Sequence, residues 1–468
     1  MKDWGTPAVV MVLSGEQHGY FEPCGCSERQ SGGVSRRANL FRQIRERGWA
    51  VTALDLGGTP NSVRTHQPQS RFKFNSLLDA LADMQYEVMG FGPEEIRLGY
   101  DNLMILDNFS PETNDVRPSF LSANIQVFDG SFGPRRHKLI EINGVKIGVT
   151  SILGKSLEKK AFPAGSNDDV TLHDPEKVLP EVIEELKAQK PDLMVLLSHS
   201  KLEESRKLAE KFQEFDLILS AGGPEDGLNK AESIGKAILV NVGRKGKHVG
   251  VVGYFPDDPE HRLRFELVEL DEDRFADTPK MQDHMRAYQQ MLKENYDEVF
   301  NGLARGGPHP NGARFVGAEK CGECHTKAYE KWKSTGHANA YDSIVRGRNE
   351  ISRTHDPECL SCHVTGWNPQ LVFRYDSGFQ IEELTTGSDD LFALLKGNQC
   401  ENCHGPGSRH VELVKDDKVE EARKHTKVTL EFARKNLCYR CHDNDNDPHF
   451  SSAAFDEYWE KIKHPGLD

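Results

Sequence analysis

No cysteine lies between Ser27 and Lys320, no apolar run is long enough to form a membrane helix, and no basic excess exists among the 468 residues. A bilayer-spanning helix takes about 18–20 consecutive apolar residues, so none is expected, in keeping with a mean hydropathy of −0.62. Lys and Arg number 59 against 73 Asp and Glu, a net charge of −14. That balance excludes a nucleic-acid partner, whose phosphate backbone is bound by clustered cations, and favours a protein partner with a basic docking patch. The opening Met1-Lys2-Asp3-Trp4-Gly5 also lacks the basic then apolar pattern of a secretory leader.

The length exceeds what one hydrophobic core supports, so two or more domains are expected. Up to about residue 270 the chain reads as α/β. Strands are expected at Ala8–Ser14, Trp49–Leu56, Tyr86–Phe91, Leu193–Ser198 and Phe215–Ser220, with hairpin-like stretches at Lys138–Ile152 and Ala237–Phe255. Helical patterns cover Val34–Arg47, Arg71–Gln85 and Pro175–Lys190. Met281, Met285, Tyr288, Leu292, Tyr296, Val299 and Leu303 then mark one stripe of a connector helix, packed on the chain itself or on a second copy as an oligomer contact. Gly306-Gly-Pro-His-Pro-Asn-Gly312 breaks regular structure. The expected organisation is residues 1–270 as one domain, 271–314 as connector and linker, and 315–468 as a mainly helical, loop-rich domain with too little apolar mass of its own.

Of ten cysteines, two are Cys24 and Cys26 and eight follow residue 320. Those eight form Cys-x-x-Cys-His four times: Cys321/Cys324/His325, Cys359/Cys362/His363, Cys400/Cys403/His404 and Cys438/Cys441/His442, spaced by 38, 41 and 38 residues. Two thiols three positions apart reach the two vinyl groups of one porphyrin, and the next imidazole falls under the iron. Zinc knuckles and disulfides use paired cysteines too, but neither calls for a histidine after every pair. Four covalent haem c groups are therefore expected, with His325, His363, His404 and His442 as proximal ligands. Distal candidates are His337, His355, His410, His425, His449 and His464, of which His337 and His410 stand closest to attachment motifs. Haem attachment to thiols normally takes place outside the bacterial cytoplasm, so a periplasmic or otherwise extracytoplasmic protein is expected, any membrane tie being a leader or anchor that this sequence does not include.

The stretches Phe315–Cys321, Trp332–His337, Pro357–Gly366 and Cys400–His410 together resemble the tetrahaem cytochrome family that accepts electrons from hydroxylamine oxidoreductase. The resemblance covers residues 315–468. It implies mostly bis-histidine haems, with His337 and His410 as distal ligands, and a second haem, on His363, that is high-spin with an open distal side.

Residues 7–270 resemble the metallophosphoesterase domain of periplasmic 5′-nucleotidases, which implies a layered α/β sandwich. Val9 to His18-Gly19 stands where that family has Asp-x-His, Asp55-Leu-Gly57-Gly58 where it has Gly-Asp, and Gly92-Pro93-Glu94-Glu95 where it has Gly-Asn-His-Glu. Ser198-His199 matches a ligand-bearing strand end, and Ser220 to Pro224 replaces the closing Gly-His-x-His. A two-metal hydrolytic centre needs a bridging carboxylate. Gly58 cannot bridge and Pro93 cannot ligate, so only Glu16, His18 and His199 remain, and an inactive domain is expected. Cys24 and Cys26 with His18 offer a soft-metal site for one further ion, with a local disulfide or two buried thiols as alternatives. Arg36 and Arg37 read either as an anion contact or as a solvated face.

The expected function is an extracytoplasmic tetrahaem carrier passing electrons between redox partners, fused to an inactive docking domain. The alternatives are a multihaem oxidoreductase acting on a small nitrogen or sulfur compound at an open haem, and an active metal-dependent phosphoesterase.

Overall fold

The computed structural model describes residues 1–23, 30–63, 68–99, 117–128, 134–163, 169–301, 305–385 and 390–465. The chain divides into two compact units, one reaching to Met285 and the other starting at Arg286.

The first unit is built on two six-stranded sheets. One runs Leu263–Glu269, His248–Tyr254, Val9–Ser14, Val51–Asp55, Tyr86–Met89 and Ser119–Phe120. The other runs Glu232–Ile234, Ala237–Val240, Leu217–Ser220, Leu193–His199, Val145–Leu153 and His137–Ile142. Strand alternation sorts the apolar side chains into layers. Val9, Met11 and Leu13 of the first sheet share a core with Val149, Val195, Leu197, Leu217 and Leu219 of the second. On the second sheet's other face, Ile152, Met194, Leu196 and Ile218 pack with Leu179, Val182, Ile183 and Leu186 of the helix Pro175–Ala188 and with Leu208 of Leu202–Lys211. Central strands covered on both faces must be apolar throughout; in Val9–Ser14 and Leu193–His199 every residue is buried.

Asn143 and Gly144 both take positive φ, 50° and 77°, closing a hairpin between His137–Ile142 and Val145–Leu153. The second expected hairpin does not form. Ala237–Val240 lies parallel to Leu217–Ser220 in one sheet, while His248–Tyr254 lies antiparallel to Val9–Ser14 in the other. Both strands are apolar on both faces, so nothing in their pattern distinguishes a reversal from a crossing between sheets. Arg36 and Arg37 correct the solvated-face alternative, since both are buried. Arg36 donates to the carbonyls of Gln30 and Leu270, and Arg37 to Gln17 Oε1 and the Tyr86 hydroxyl.

The expected connector is two helices, Pro279–Glu294 and Tyr296–Asn301. Met281, Met285, Tyr288, Leu292 and Val299 are at most 5% exposed, so these residues of the stripe are covered within this chain, while Tyr296 is half-buried. Leu303 lies outside the described residues.

The second unit is a series of short helices with a three-stranded sheet, Arg305–Gly307, Phe373–Tyr375 and Trp367–Asn368. Three of the four Cys-x-x-Cys-His segments lie on or next to helices: Ala318–Gly322, Pro357–His363 and Cys400–His404. The fourth begins with the 3-10 turn Cys438–Arg440. Asp356 caps the second helix by accepting from Glu358 N at 3.0 Å, with Pro357 as first helical residue.

Candidate functional site

A helical turn puts the two cysteines of each motif near one another and the histidine one step further round. The four motifs converge. Cys321 lies beside Cys400, bringing the first motif to the third, and Cys441 beside Cys362, bringing the fourth to the second. Cys321, Cys324, Cys400, Cys403, Cys438 and Cys441 are free thiols. Burial pushes the Cys403 thiol up to about 12, so it is a neutral group in an apolar setting. Among the described residues no three His, Cys, Asp or Glu side chains are placed to share one ion, which counts against zinc knuckles.

Cys324 differs from the other motif cysteines. It is exposed, whereas the other seven motif cysteines are partly buried. The helix Ala318–Gly322 ends before it, and Cys324 N donates to Cys321 O at 3.2 Å in the tighter turn that follows. That turn carries Cys324 to the surface of the unit while Cys321 stays inside, against Cys400. The first motif therefore offers one enclosed thiol and one solvent-facing thiol.

The histidines are arranged in pairs. His325 faces His410 with ring centroids 6.2 Å apart, His442 faces His337 at 6.0 Å, and His404 faces His464 at 5.9 Å. Among the described residues no histidine ring packs opposite His363. His355 is turned elsewhere, its Nε2 lying 3.0 Å from Glu383 Oε1. His425 lines a cavity but is exposed, and His449 is exposed as well.

In five of the rings read as iron ligands Nδ1 is occupied. His363 Nδ1 lies 2.8 Å from Ala340 O, His404 Nδ1 2.7 Å from Thr426 O, His410 Nδ1 3.0 Å from Ala422 O, His464 Nδ1 2.9 Å from Pro465 O, and His442 Nδ1 2.8 Å from Asp447 Oδ2. With Nδ1 as donor, Nε2 keeps its lone pair for a metal. Burial lowers His363 and His404 and drives His337 down to about 4, with His442 and His363 adding to the effect, so these rings are neutral near pH 7.

A cavity of about 940 Å³ opens among Cys403, His404, Cys438, Cys441, His442 and His337. That lies toward the upper end of the roughly 300–1,000 Å³ range of cofactor pockets. Two imidazoles on opposite sides of one metal at about 2.0–2.1 Å, with each ring centre about 1.1 Å behind its nitrogen, stand about 6.3 Å apart. The three observed separations come close to that figure, so these residues fit haem.

The corresponding place in the first unit is packed differently. Glu16 and His18 follow the strand Val9–Ser14 with φ of 46° and 51°, strained values for residues with a Cβ. His18 Nε2 is 3.9 Å from Glu16 Oε1, and its Nδ1 is 3.8 Å from Glu94 Oε1, which Lys160 Nζ approaches at 2.6 Å. Burial pushes His18 down to about 4. Burial also works against charge on Glu94, yet His18, Lys160 and His199 hold its carboxyl below the usual range. Glu95 accepts from the backbone N–H groups of Gly58, Thr59 and Gly92, and Asp55 from Ser14 Oγ and Gly57 N, so both carboxylates are committed to the backbone frame.

The His199 ring lies against Gly58 and Gly92. A Cβ on Gly58 would stand 2.9 Å from His199 Cε1, and one on Gly92 would collide with the same ring. The residues present therefore do not fit a two-metal centre. Cys24 and Cys26 lie outside the described residues.

Two groups were missed from the sequence. Glu94 was read only as part of a lost motif, although its buried carboxylate lies beside His18. Asp447 stands in the acidic run Asp443–Asp447 directly after the fourth motif, and that run was the available signal.

Residues 320–405 match the family described as cytochrome c554 and c-prime. The chain is 29% identical to cytochrome c-554 of Nitrosomonas europaea, over 28% of its own length and 59% of that protein. Among solved structures, a 5′-nucleotidase precursor from Thermus thermophilus matches with a TM-score of 0.51 at 17% identity, covering 64% of this chain and 61% of that one. The sulfate thiohydrolase SoxB of Thermus thermophilus matches with a TM-score of 0.50 at 17% identity, covering 64% and 62%. This chain thus spans about three fifths of each of these proteins. At such identities the two structures show a shared fold, the nucleotidase-like layered sandwich, while the C-terminal region is cytochrome c554-like.

Proposed function

We propose that this chain is an extracytoplasmic, periplasmic electron-transfer protein. In this reading residues 315–468 hold four covalent haems, residues 1–270 are a docking domain without phosphoesterase activity, and 271–314 join them. The observation that carries the reading is the set of three histidine pairs at 5.9–6.2 Å, each containing the histidine of a Cys-x-x-Cys-His motif.

Haem c supplies an iron that changes by one electron between Fe(III) and Fe(II). The chain's residues do the rest. The thiols of Cys321/Cys324, Cys359/Cys362, Cys400/Cys403 and Cys438/Cys441 would hold four haems. The Nε2 atoms of His325 and His410, of His442 and His337, and of His404 and His464 would hold three of their irons. The Nδ1 acceptors of His404, His410, His442 and His464 hold those rings still, so little reorganisation accompanies a change of charge. The net charge of −14 supports a redox partner with a basic docking patch.

His363 supports a second reading, since no histidine ring packs opposite it among the described residues. It would leave one iron with an exchangeable side, as a multihaem oxidoreductase acting on a small nitrogen or sulfur compound requires.

Pyridine haemochrome analysis with low-temperature electron paramagnetic resonance of the oxidised chain tests both. Four haems, three low-spin and one high-spin, are expected. Fewer than four would overturn the carrier reading, and four low-spin irons would remove the second. Elemental analysis beyond haem iron tests Cys24, Cys26 and His18 as a further metal site. Phosphatase assays with added divalent metals are expected to show no turnover.

A further inference from the structure

The five candidate ligand rings with an Nδ1 contact do not share one kind of acceptor. His363, His404, His410 and His464 meet the neutral backbone carbonyls of Ala340, Thr426, Ala422 and Pro465. His442 meets a carboxylate, Asp447 Oδ2, at 2.8 Å. A hydrogen bond to an ionised acceptor is about twice as strong as one between neutral groups. It draws the Nδ1 proton away from the ring and makes the ring a more basic ligand.

The carboxylate is held in place from several directions. Asp447 N donates to Asp443 O at 2.8 Å, and Asp443 Oδ1 accepts from Asp445 N at 3.0 Å and Asn446 N at 2.7 Å, which fixes the turn. The Tyr458 hydroxyl reaches Asp447 Oδ1 at 3.4 Å. The His442 ring is stacked on Phe450 at 5.0 Å and edged by Tyr458 at 5.8 Å. The Asp447 side chain is 18% exposed, so solvent screens it only partly. Asp443 and Asp445 add negative charge to the same turn.

We propose that Asp447 is a positioning residue that makes the haem held by His442 the hardest of the four to reduce. A more basic axial ligand and a fixed negative charge both stabilise Fe(III) over Fe(II). The neutral carbonyls behind His363 and His404 exert neither effect to the same degree. The inference rests on the proposed reading of His442 as an iron ligand.

The test is a spectroelectrochemical titration of the full chain carrying Asp447→Asn, beside wild type, with haem counts on both. The expected result is four haems in each protein and a rise in the lowest of the four potentials alone. The rise should correspond to at least a tenfold change in that haem's reduction equilibrium, about 59 mV for one electron. Asp447→Glu, which keeps the carboxylate, should restore most of the wild-type value. Tyr458→Phe frees the other Asp447 oxygen and should lower that potential or leave it alone. An unchanged lowest potential in Asp447→Asn, a shift in a different haem, or an equal rise in Tyr458→Phe would each overturn the inference. If the amide variant assembles fewer than four haems, Asp447→Ser is read by the same criteria. A wild-type count below four would instead sink the reading beneath it.

Discussion

The two units keep their apolar mass in different places. In the first, the side chains form the core: Val9, Met11, Leu13, Val195 and Leu197 are buried between sheets that would hold together whatever lay at their edges. In the second, a buried cluster is as small as Ala433, Phe450 and Phe455, beside a cavity of about 940 Å³ ringed by motif cysteines and histidines. A site mounted on a self-sufficient core can change its residues and keep its fold. A site that is itself the core cannot.

Removing one attachment pair should therefore produce the largest effect. Cys438→Ala with Cys441→Ala is expected to lower the haem count from four to three and to make the second unit sensitive to protease, while His199→Ala leaves the count at four. Equal protease resistance in the two variants would break the contrast. A smaller, local change is expected from the distal rings. His464→Ala and His410→Ala should each convert one low-spin iron to high-spin in the paramagnetic resonance spectrum, whereas His355→Ala, whose ring is bound to Glu383, should leave the spectrum alone.

How much of this was legible in the sequence follows from the same contrast. Cys-x-x-Cys-His is a local pattern set by one turn of chain and one macrocycle, so all four copies could be read directly. The exposure of Cys324 could not, because its motif has the same spacing as the other three and differs only in what packs around it. The partner of each ring is likewise a tertiary fact. His410 and His337 drew notice because they lie near motifs, but the sequence gives no reason to set His337 against His442, over a hundred residues on, or His464 against His404. The sheets were legible where apolar runs met turn residues, as at Asn143-Gly144. They were not legible at Ala237–Tyr254, where both strands are buried on both faces and no alternation reveals which sheet each joins. The burial of Arg36 and Arg37 was hidden because their acceptors, Gln17, Gln30, Tyr86 and Leu270, come from distant segments.

Within the first unit, the packing of His199 against Gly58 and Gly92 can be sharpened by a double-mutant cycle. Gly92 has φ of −99°, which any residue adopts, so Gly92→Ala costs nothing in backbone strain and acts chiefly through its collision with the His199 ring, with the Gly58 backbone nitrogen 2.9 Å away as a second, lesser contact. Overpacking of this kind costs about 1–3 kcal/mol. Urea unfolding followed by circular dichroism should show that loss in the wild-type background and much less of it in His199→Ala. Additive losses would mean that the ring is not what fills the space.

The smallest expected effect is the pH dependence of His18. Its ring is 8% exposed and faces Glu16, Glu94, Lys160, His199 and Arg244, and burial depresses its pKa from 6.5 to about 4. Between those values the unfolded chain binds the proton that the folded chain refuses, so stability is complete above pH 6.5 and declines as pH falls toward 4. The linkage amounts to at most about 2 kcal/mol at pH 5. In chelator, the urea midpoint of wild type should therefore fall more steeply from pH 7 to pH 5 than that of His18→Gln, which has no proton to take up. Parallel curves would show that Glu16 and Glu94 keep the folded ring protonatable, and that this buried cluster is electrostatically matched to a cation.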